Sequence, residues 1–314
     1  MFVAMSKSLE ANRSLLEDLY TRVLRIRMVE EAIVEEYPKQ EIRSPTHLHI
    51  GQEAIPSGVC ANLNDDDIVY GYYRSHGWYL AKGGHLQRMM DELYGKATGC
   101  SKGYGGSMHL IDLSVGFTGT TAIVAGAMPH AVGAGFTFRS RGTKQVAISC
   151  FGDGATEEGL FQESLMFAML RKLPVVFICE NNGLATNTLI KDRQPAVAIH
   201  KRAAGHGIPS VCIDGNNAFD VYEAAKEAVE RARRGEGPSF IECTTYRYLE
   251  HCGPAYDFQL GHRTEQEVME WKKRDPLLFL EPKVGAEFSA NLRRKFSAEI
   301  EAAFVAAKSA PNPT

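Results

Sequence analysis

Two short apolar segments near the middle of the chain have the length and composition of buried β-strands. They cover residues 146–151 and 174–179, and both contain β-branched side chains. A segment with helical spacing of apolar residues lies between them, and glycine and polar residues follow each run, at 152–154 and 180–183. This order predicts two parallel neighbouring strands joined by a right-handed crossover. The two polar loops are then expected side by side at the carboxyl edge of the sheet, where open parallel sheets bind ligands.

The pattern along the rest of the chain predicts an α/β fold, with a mostly parallel sheet and helices on both faces. An apolar stripe at 14–36 predicts a long first helix, and the runs 68–73, 211–213 and 239–243 predict further strands. Another helix is expected after Asn217, which suits the N-cap position. Alternation of strands and helices in this way is typical of a layered α/β domain.

Asp153 and Asn182 occupy the two central loops and carry oxygen atoms suited to a magnesium ion that binds a diphosphate. Mg²⁺ prefers six oxygen ligands, and phosphates and water usually supply most of them. Gly152 and Gly154 would let backbone N–H groups approach a phosphate, and a helix beginning near Ala155 would turn its positive end toward it. The simpler alternative is a pair of ordinary turns, since glycine, aspartate and asparagine all favour turns.

Composition narrows the class of protein further. The 314 residues are 44% hydrophobic and carry a formal net charge of −3, with scattered basic residues, so neither nucleic acid nor an acidic membrane is an expected partner. The seven cysteines show no metal-binding spacing, and residues such as Cys150, Cys179 and Cys212 lie in apolar runs, which predicts buried thiols in a reducing compartment. No apolar stretch approaches a transmembrane span, and no signal-peptide core is recognisable. We therefore expect a cytoplasmic protein.

The central motif resembles one found in thiamine-diphosphate enzymes. Gly152-Asp153-Gly154 followed by Asn181-Asn182 is similar to the motif shared by transketolases, decarboxylases and 2-oxo acid dehydrogenases. The wider sequence resembles the α subunit of the E1 component of 2-oxo acid dehydrogenase complexes, of the pyruvate and acetoin type. The matching blocks are HLHIGQEA (47–54), YRSHG (73–77), YGKATGCSKGYGGSMH (94–109), KLPVVFICENNG (172–183) and GEGPSFIECTTYRY (235–248). The resemblance implies the thiamine-diphosphate-binding fold, with thiamine diphosphate and Mg²⁺ as cofactors.

The resemblance also implies roles for individual residues. The magnesium ligands would be Asp153, Asn182 and the main-chain oxygen of Leu184. The groups that contact the cofactor would be Tyr73, Arg74, Gly152, Gly154, Ala155 and His251 at the diphosphate, and the backbone of Ala122 and Val124 at the aminopyrimidine ring. The catalytic histidines that face the substrate or the phosphates would be His47, His76 and His251.

The domain organisation implied by the family leaves part of the site to another chain. The expected regions are an N-terminal helical arm (1–45), a diphosphate-binding α/β domain (46–250), and an active-site loop with a C-terminal helical tail (251–314). The glutamate that activates the aminopyrimidine ring would come from a β subunit that carries the pyrimidine-binding domain, in an α₂β₂ assembly. The small and apolar segment 122–136 is a candidate contact surface. The substrate would be a 2-oxo acid or an acyloin, with acyl transfer to a lipoyl acyltransferase.

Several positions depart from the family pattern. Leu249-Glu250 replaces a His-Gly pair, and a carboxylate near a diphosphate would repel it unless Glu250 points away or pairs with a base. Cys252 stands where a serine is common, and no neighbour in sequence clearly lowers its pKa as a nucleophile would require. His130 lies in a segment of small apolar residues, which favours a buried structural histidine over a catalytic one.

Three alternative functions remain open at this point. A split transketolase-like or acyloin-forming enzyme would use the same cofactor without a lipoyl partner. A nicotinamide-binding oxidoreductase is disfavoured because Glu157 stands where the third glycine of that fingerprint belongs. A non-catalytic subunit that has kept the fold is disfavoured because Asp153 and Asn182 are both present.

Overall fold

The computed structural model describes residues 13–42 and 44–314, so part of the expected arm, residues 1–12 and 43, lies outside the described residues. The sheet strands are β1 (Ile68–Tyr72), β2 (Phe117–Thr121), β3 (Ala147–Gly152), β4 (Val175–Asn181), β7 (Ser210–Asp214) and β8 (Ser239–Thr244), and a small hairpin consists of β5 (Leu184–Ala185) and β6 (Thr188–Leu189). The helices before the crossover are α1 (Arg13–Glu36), α2 (Ala54–Cys60), α3 (His76–Ala81), α4 (Leu86–Leu93) and α5 (Ala127–Arg141). The later helices are α6 (Gly159–Leu170), α7 (Ile190–Arg193), α8 (Ile199–Ala204), α9 (Ala218–Arg233), α10 (Glu265–Lys272), α11 (Pro276–Val284) and α12 (Ala286–Ser309).

The six main strands form one sheet in the order β2-β1-β3-β4-β8-β7, and every neighbouring pair is parallel. Alternate side chains of the central strands enter two separate cores. Ile148 and Ile178 pack into one core with α1, α2 and α9, whereas Phe151 and Phe177 pack into the other with α5 and α6. The predicted α/β fold with helices on both faces is confirmed.

The first helix is an integral part of the larger core. Leu19, Leu24 and Ile26 are fully buried, and each such side chain contributes about 1.5–3 kcal/mol through burial. The hydroxyl of Tyr20 donates to Ser289 Oγ at 2.7 Å, which ties α1 to the C-terminal helix α12. The N-terminal and C-terminal helices therefore pack together on one side of the sheet.

The expected start of the crossover helix is wrong. Residues Asp153–Glu157 form a 3₁₀ turn, and α6 begins only at Gly159. Glu158 between them has extended backbone angles, φ −75° and ψ 146°, which end one helical segment before the next begins. The loop after β3 is therefore longer than the apolar pattern indicated, and Asp153 opens a 3₁₀ turn that precedes the α-helix.

One of the predicted buried thiols is also misplaced. Cys150 and Cys179 are buried in the central strands, as predicted, but Cys212 is exposed. It lies on β7, which forms one edge of the sheet, and its neighbour Val211 is exposed as well. None of the described helices combines the length and apolar character required to cross a membrane.

Candidate active site at the carboxyl edge of the sheet

The loops after β3 and β4 meet at the carboxyl edge of the sheet. The two strands are parallel neighbours with Gly152 paired to Glu180. A β-carbon placed on Gly154 would lie 3.0 Å from the β-carbon of Ala185, so the turn that carries Asp153 packs against the hairpin that follows Asn182. The structure thus brings together the two loops that carry the expected magnesium ligands.

The carboxylate of Asp153 is buried and forms an ion pair with Arg193. Arg193 Nη2 donates to Asp153 Oδ2 at 2.5 Å, and Arg193 also pairs with Glu157. Gln194 Nε2 donates to the main-chain oxygen of Asp153 at 3.2 Å. Burial raises the pKa of Asp153, and the bond and positive charge of Arg193 oppose that increase. Asp153 is therefore a buried acid whose compensating cation comes from helix α7.

Asn182 is held from two sides. Its amide Nδ2 donates to Gln52 Oε1 at 2.8 Å, and its Oδ1 accepts from the backbone N–H of Leu184 at 3.1 Å. The second polar atom of the glutamine, Gln52 Nε2, is buried without a hydrogen-bond partner among the described residues. A buried donor without an acceptor costs free energy, so an oxygen-rich ligand beside Asn182 would be stabilised there.

Three aromatic rings from distant parts of the chain form a cluster beside this edge. The ring centroids of His47 and Tyr73 are 4.6 Å apart, those of His47 and His251 are 4.9 Å apart, and those of Tyr73 and His251 are 5.5 Å apart. Burial raises the pKa of Tyr73, and the nearby charge of Asp153 adds to that increase. Tyr73 directly follows β1, which pairs in parallel with β3, so the histidine cluster lies at the same carboxyl edge of the sheet as Asp153.

The two histidines of this cluster are neutral. Burial and the positive charge of Arg74 lower the pKa of His47 to about 2, and the same causes, together with Arg247, lower the pKa of His251 to about 3. His47 Nδ1 is buried without a hydrogen-bond partner in the part of the chain that the structure describes. A neutral imidazole offers one N–H and one lone pair, so both rings can donate to or accept from a ligand.

Arg74 and Arg247 position the backbone around these rings. Arg74 donates to the main-chain oxygen of Leu48 at 2.5 Å and to that of His251 at 3.1 Å. Arg247 donates to the main-chain oxygen of Thr186 at 2.8 Å, which joins the loop of His251 to the β5–β6 hairpin. In this structure both guanidinium groups bond to the protein's own carbonyl groups.

His76 is fully buried and both of its ring nitrogens are engaged. Nδ1 lies 3.0 Å from Glu30 Oε2, and Nε2 lies 2.7 Å from Ser107 Oγ. The structure thus places His76 beneath the site, between α1 and the loop before β2. The role of facing the substrate stays a prediction for this residue.

Another buried histidine, His49, to which the sequence assigns no role, forms a network behind the site. Its Nε2 lies 3.0 Å from Glu180 Oε1, and Glu180 also accepts from Tyr72 at 2.6 Å and Trp78 at 3.1 Å. Burial acts to lower the pKa of His49, but the charge and hydrogen bond of Glu180 outweigh it and raise the pKa. Its Nδ1 also lies 3.1 Å from the main-chain oxygen of Arg74, so the network fixes the backbone that carries Tyr73.

The residues expected at the aminopyrimidine ring lie at the end of the edge strand β2. Ala122 and Val124 are exposed, which leaves this segment open to another molecule. His130 is exposed at the start of α5 with Nδ1 2.7 Å from the main-chain oxygen of Gly126, so the expectation of a buried histidine is wrong.

The divergent loop is folded on itself. Glu250 Oε1 accepts from the backbone N–H of Ala255 at 2.9 Å, and Glu250 N donates to Ala255 O at 2.9 Å. Asp257 closes the loop because it accepts from Arg263 at 2.5 Å and from Arg247 at 3.2 Å. The Glu250 carboxylate is thus hydrogen-bonded within its own loop.

Comparison with known proteins gives a consistent result. The family described as dehydrogenase E1 component matches residues 21–314. Subunit alpha of acetoin:2,6-dichlorophenolindophenol oxidoreductase from Bacillus subtilis is 38% identical over 301 residues, covering 94% of this chain and 89% of the relative. The protein of the same name from Cupriavidus necator is 38% identical over 317 residues, covering 98% and 94%. Pyruvate dehydrogenase E1 component subunit alpha from Porphyra purpurea is 39% identical over 266 residues, covering 82% and 76%. This chain belongs to the dehydrogenase E1 component family, and the resemblance inferred from its motifs is confirmed.

Proposed function

We propose that the chain is the α subunit of a thiamine-diphosphate-dependent E1 enzyme that acts on a 2-oxo acid or an acyloin. The observation that carries the proposal is the meeting of the Asp153 and Asn182 loops at the carboxyl edge of a parallel sheet. The names of the relatives supply the reaction class, since they are alpha subunits of acetoin oxidoreductases and pyruvate dehydrogenases.

The residues of the site fit magnesium and a diphosphate. The buried Asp153 carboxylate already pairs with a cationic group, Arg193, so its environment accommodates positive charge. Gln52 Nε2 and His47 Nδ1 are buried polar atoms without partners among the described residues. Asp153, Asn182 and the main-chain oxygen of Leu184 would hold Mg²⁺. The groups that would hold the diphosphate are the backbone of Gly152, Gly154 and Ala155 and the side chains of Tyr73, Arg74 and His251.

When bound, thiamine diphosphate supplies a nucleophilic carbon and an electron sink, and the protein supplies orientation and proton positions. His47 and His251 are neutral, so each can donate a hydrogen bond to the substrate through one ring nitrogen and accept one at the other. Their lowered pKa values make them weak bases, which favours this hydrogen-bonding role over proton transfer. His76, fixed by Glu30 and Ser107, would act as a positioning residue beneath them. The backbone of Ala122 and Val124 would face the aminopyrimidine ring.

The enzyme would be completed by a β subunit in an α₂β₂ assembly. The relatives are named as alpha subunits, and the end of β2 is exposed where a second chain would contribute the activating glutamate. All seven cysteines are free thiols, which supports a reducing, cytoplasmic compartment.

Substitution of the principal metal ligand tests the proposal. In the complex with the β subunit, Asp153→Asn should weaken Mg²⁺-dependent binding of thiamine diphosphate by at least the roughly 10–100-fold that follows from loss of a supporting ligand. Isothermal titration calorimetry measures that affinity, with the exposed Asp192→Asn as a control. Equal affinity in both variants would place the metal elsewhere.

The acceptor of the acyl group separates the two enzyme classes. A 2-oxo acid dehydrogenase should convert pyruvate or acetoin to an acyl group on an added lipoyl domain, and we propose this reaction with a lipoyl acyltransferase as the partner. Carboligation products without any acyl-lipoyl would instead favour a split transketolase-like or acyloin-forming enzyme. Mass spectrometry of the lipoyl domain and chromatography of the small products distinguish these outcomes.

A further inference from the structure

Three side chains with metal-binding atoms meet near one edge of the sheet, outside the residues assigned to the active site. They are His200 on α8, Cys212 on β7 and Glu242 on β8, and one ligand atom from each lies within 4.8 Å of the others. Cys212 and Glu242 are paired in register between the two strands, which fixes their side chains on the same face. Within the described residues this is the one such group of three that includes a nitrogen, a sulfur and an oxygen ligand.

Glu242 is a buried carboxylate that pairs with no lysine or arginine among the described residues. It accepts from Asn181 Nδ2 at 2.7 Å and from the backbone N–H of His200 at 2.9 Å, and its Oε2 lies 2.8 Å from His200 Nδ1. Among the ion pairs of residues 13–42 and 44–314, His200 is its only partner. A buried carboxylate is normally neutralised by a fixed cation or by a metal ion. A cation bound beside Glu242 would therefore be stabilised by its negative charge.

We propose that His200 Nδ1, Cys212 Sγ and Glu242 Oε2 bind a divalent metal ion of the zinc class. Imidazole nitrogen, thiolate sulfur and carboxylate oxygen are the ligands that Zn²⁺ takes in proteins. Around a tetrahedral Zn²⁺ such atoms lie roughly 3.3–3.8 Å apart, so shifts of about 1 Å would complete the geometry. Because Cys212 is exposed, the fourth position faces solvent and would take a water molecule.

Charge and protons balance on binding. The S–H bond of Cys212 breaks, its proton passes to solvent, and a metal–sulfur bond forms. The proton through which His200 Nδ1 bonds Glu242 is lost to solvent while Nε2 takes one up, so that Nδ1 binds the ion and the imidazole stays neutral. One thiolate and one carboxylate then offset the two positive charges of the ion. No oxidant or reductant is required.

The position of this cluster gives the ion a structural role toward the active site. Asn181, which bonds Glu242, also accepts from the backbone N–H of Gly183 at 3.1 Å and immediately precedes Asn182. His200 is the second residue of α8, the helix that follows the segment bearing Arg193 and Gln194, the two residues that bond Asp153. An ion at this site would hold the loop of Asn182 and the segment of Arg193 in place from the side away from the diphosphate, without touching it.

Binding of Co²⁺ tests the proposal, because a cobalt–thiolate bond produces an absorption band that oxygen ligands do not. The full-length chain is freed of metals with a chelator and given excess Mg²⁺ and thiamine diphosphate, so that the oxygen-rich site is occupied. We expect one equivalent of Co²⁺ to produce the thiolate band, and one equivalent of Zn²⁺ to abolish it.

Matched variants locate the site. Cys212→Ser and His200→Gln should lose the band or weaken Co²⁺ binding at least tenfold, whereas Cys252→Ser and His206→Gln should retain it. If a variant fails to fold, the site is tested instead on the unchanged protein, by the protection of Cys212 from modification. Zn²⁺ should slow maleimide modification of Cys212, as read by peptide mass spectrometry, with Cys252 as the internal reference. Absence of the band in the unchanged protein, or a band that survives Cys212→Ser, would overturn the proposal.

Discussion

At the scale of single residues, the ion pair between Asp153 and Arg193 has the clearest consequence for function. The two atoms are 2.5 Å apart and both side chains are almost completely buried. Arg193 therefore occupies the side of the carboxylate that a magnesium ion would use. The ion and the guanidinium are alternatives at this oxygen, since two cationic groups there would repel each other.

The variant Arg193→Met should consequently bind Mg²⁺ more tightly. A charge-assisted hydrogen bond of this kind contributes about 1–2 kcal/mol, so we expect an affinity gain on the order of tenfold when the competing guanidinium is removed. Calorimetric titration with Mg²⁺ at saturating thiamine diphosphate measures the gain. Arg171→Met is the control, because Arg171 packs over the Phe167 ring and is not bonded to Asp153. Unchanged or weaker binding in Arg193→Met would show that Arg193 does not compete with the ion.

Because His47 and His251 are neutral in the folded protein, we expect the free energy of unfolding to decrease in acid. In the unfolded chain an imidazole takes up a proton near pH 6.5, whereas in the folded protein His251 and His47 do so only at about pH 3 and about pH 2. Between these limits the unfolded state binds more protons, so the free energy of unfolding decreases as the pH falls below about 6.5. Each histidine contributes a decrease of about 1 kcal/mol per pH unit.

Urea unfolding of the chain between pH 7 and pH 5 measures this slope. The variant His47→Asn should reduce the slope by about 1 kcal/mol per pH unit, because the proton uptake of this imidazole in the unfolded chain is lost. His85→Asn should leave it unchanged, since His85 is exposed. A slope that is identical in His47→Asn and the unchanged protein would contradict the assignment of a neutral, buried imidazole.

At the scale of elements, the glycine-rich loop at 99–106 depends on one buried carboxylate at the end of α4. Glu92 accepts from the backbone N–H groups of Ser101 at 2.7 Å, Gly103 at 2.9 Å, Gly105 at 2.7 Å and Gly106 at 3.0 Å. A β-carbon on Gly99 would lie 2.4 Å from Glu92 Oε2, so a larger residue would clash with the carboxylate. The loop leads to Ser107, which bonds His76.

Glu92→Gln should therefore lower the stability of the fold substantially. The amide nitrogen of glutamine would face N–H donors and leave them without an acceptor, at a cost of about 2–4 kcal/mol. Urea unfolding measures the change, and the exposed Glu163→Gln on α6 should shift the free energy of unfolding by less than about 0.5 kcal/mol. Equal stability of the two variants would show that the loop is held by its backbone conformation alone.

The elements also show which features the sequence could predict. The strands and the crossover were predictable because their apolar runs are local and end at glycine or polar residues. The start of α6 was not, because the extended backbone of Glu158 leaves no trace in the apolar pattern. The contact of Arg193 with Asp153 was also missed, since the four-residue helix Ile190–Arg193 is too short for periodicity. The bond between His49 and Glu180 joins residues 131 positions apart, which only the packed fold brings together.

At the scale of the whole molecule, helices α5 and α6 present an apolar surface on one side of the sheet. It contains Phe136 at 45% exposure, Met166 at 58%, Phe167 at 38% and Leu170 at 73%. The ring centroids of Phe136 and Phe167 lie 6.0 Å apart, so the two helices expose apolar groups side by side in one patch centred on these rings. Contiguous apolar surface of this kind is typical of a protein–protein interface.

The segment 122–136, predicted as a contact surface, ends within this patch, and its other end carries Ile123 at 72% exposure beside the backbone proposed to face the cofactor ring. A β subunit that covers both ends would bury apolar area and bring its glutamate to the cofactor in a single contact. Such a contact predicts that assembly and cofactor binding are lost together when the patch is altered.

Phe136→Glu should weaken association with the β subunit at least tenfold, because a charge would be buried in an apolar contact at a cost above about 1.4 kcal/mol. Sedimentation velocity of mixtures of the two subunits measures the association. Val305→Glu is the matched control, since Val305 is 65% exposed on α12, away from the patch. If only contacts between two copies of this chain were lost in Phe136→Glu, the patch would belong to an α–α interface, and the β subunit would have to reach the end of β2 across a different surface.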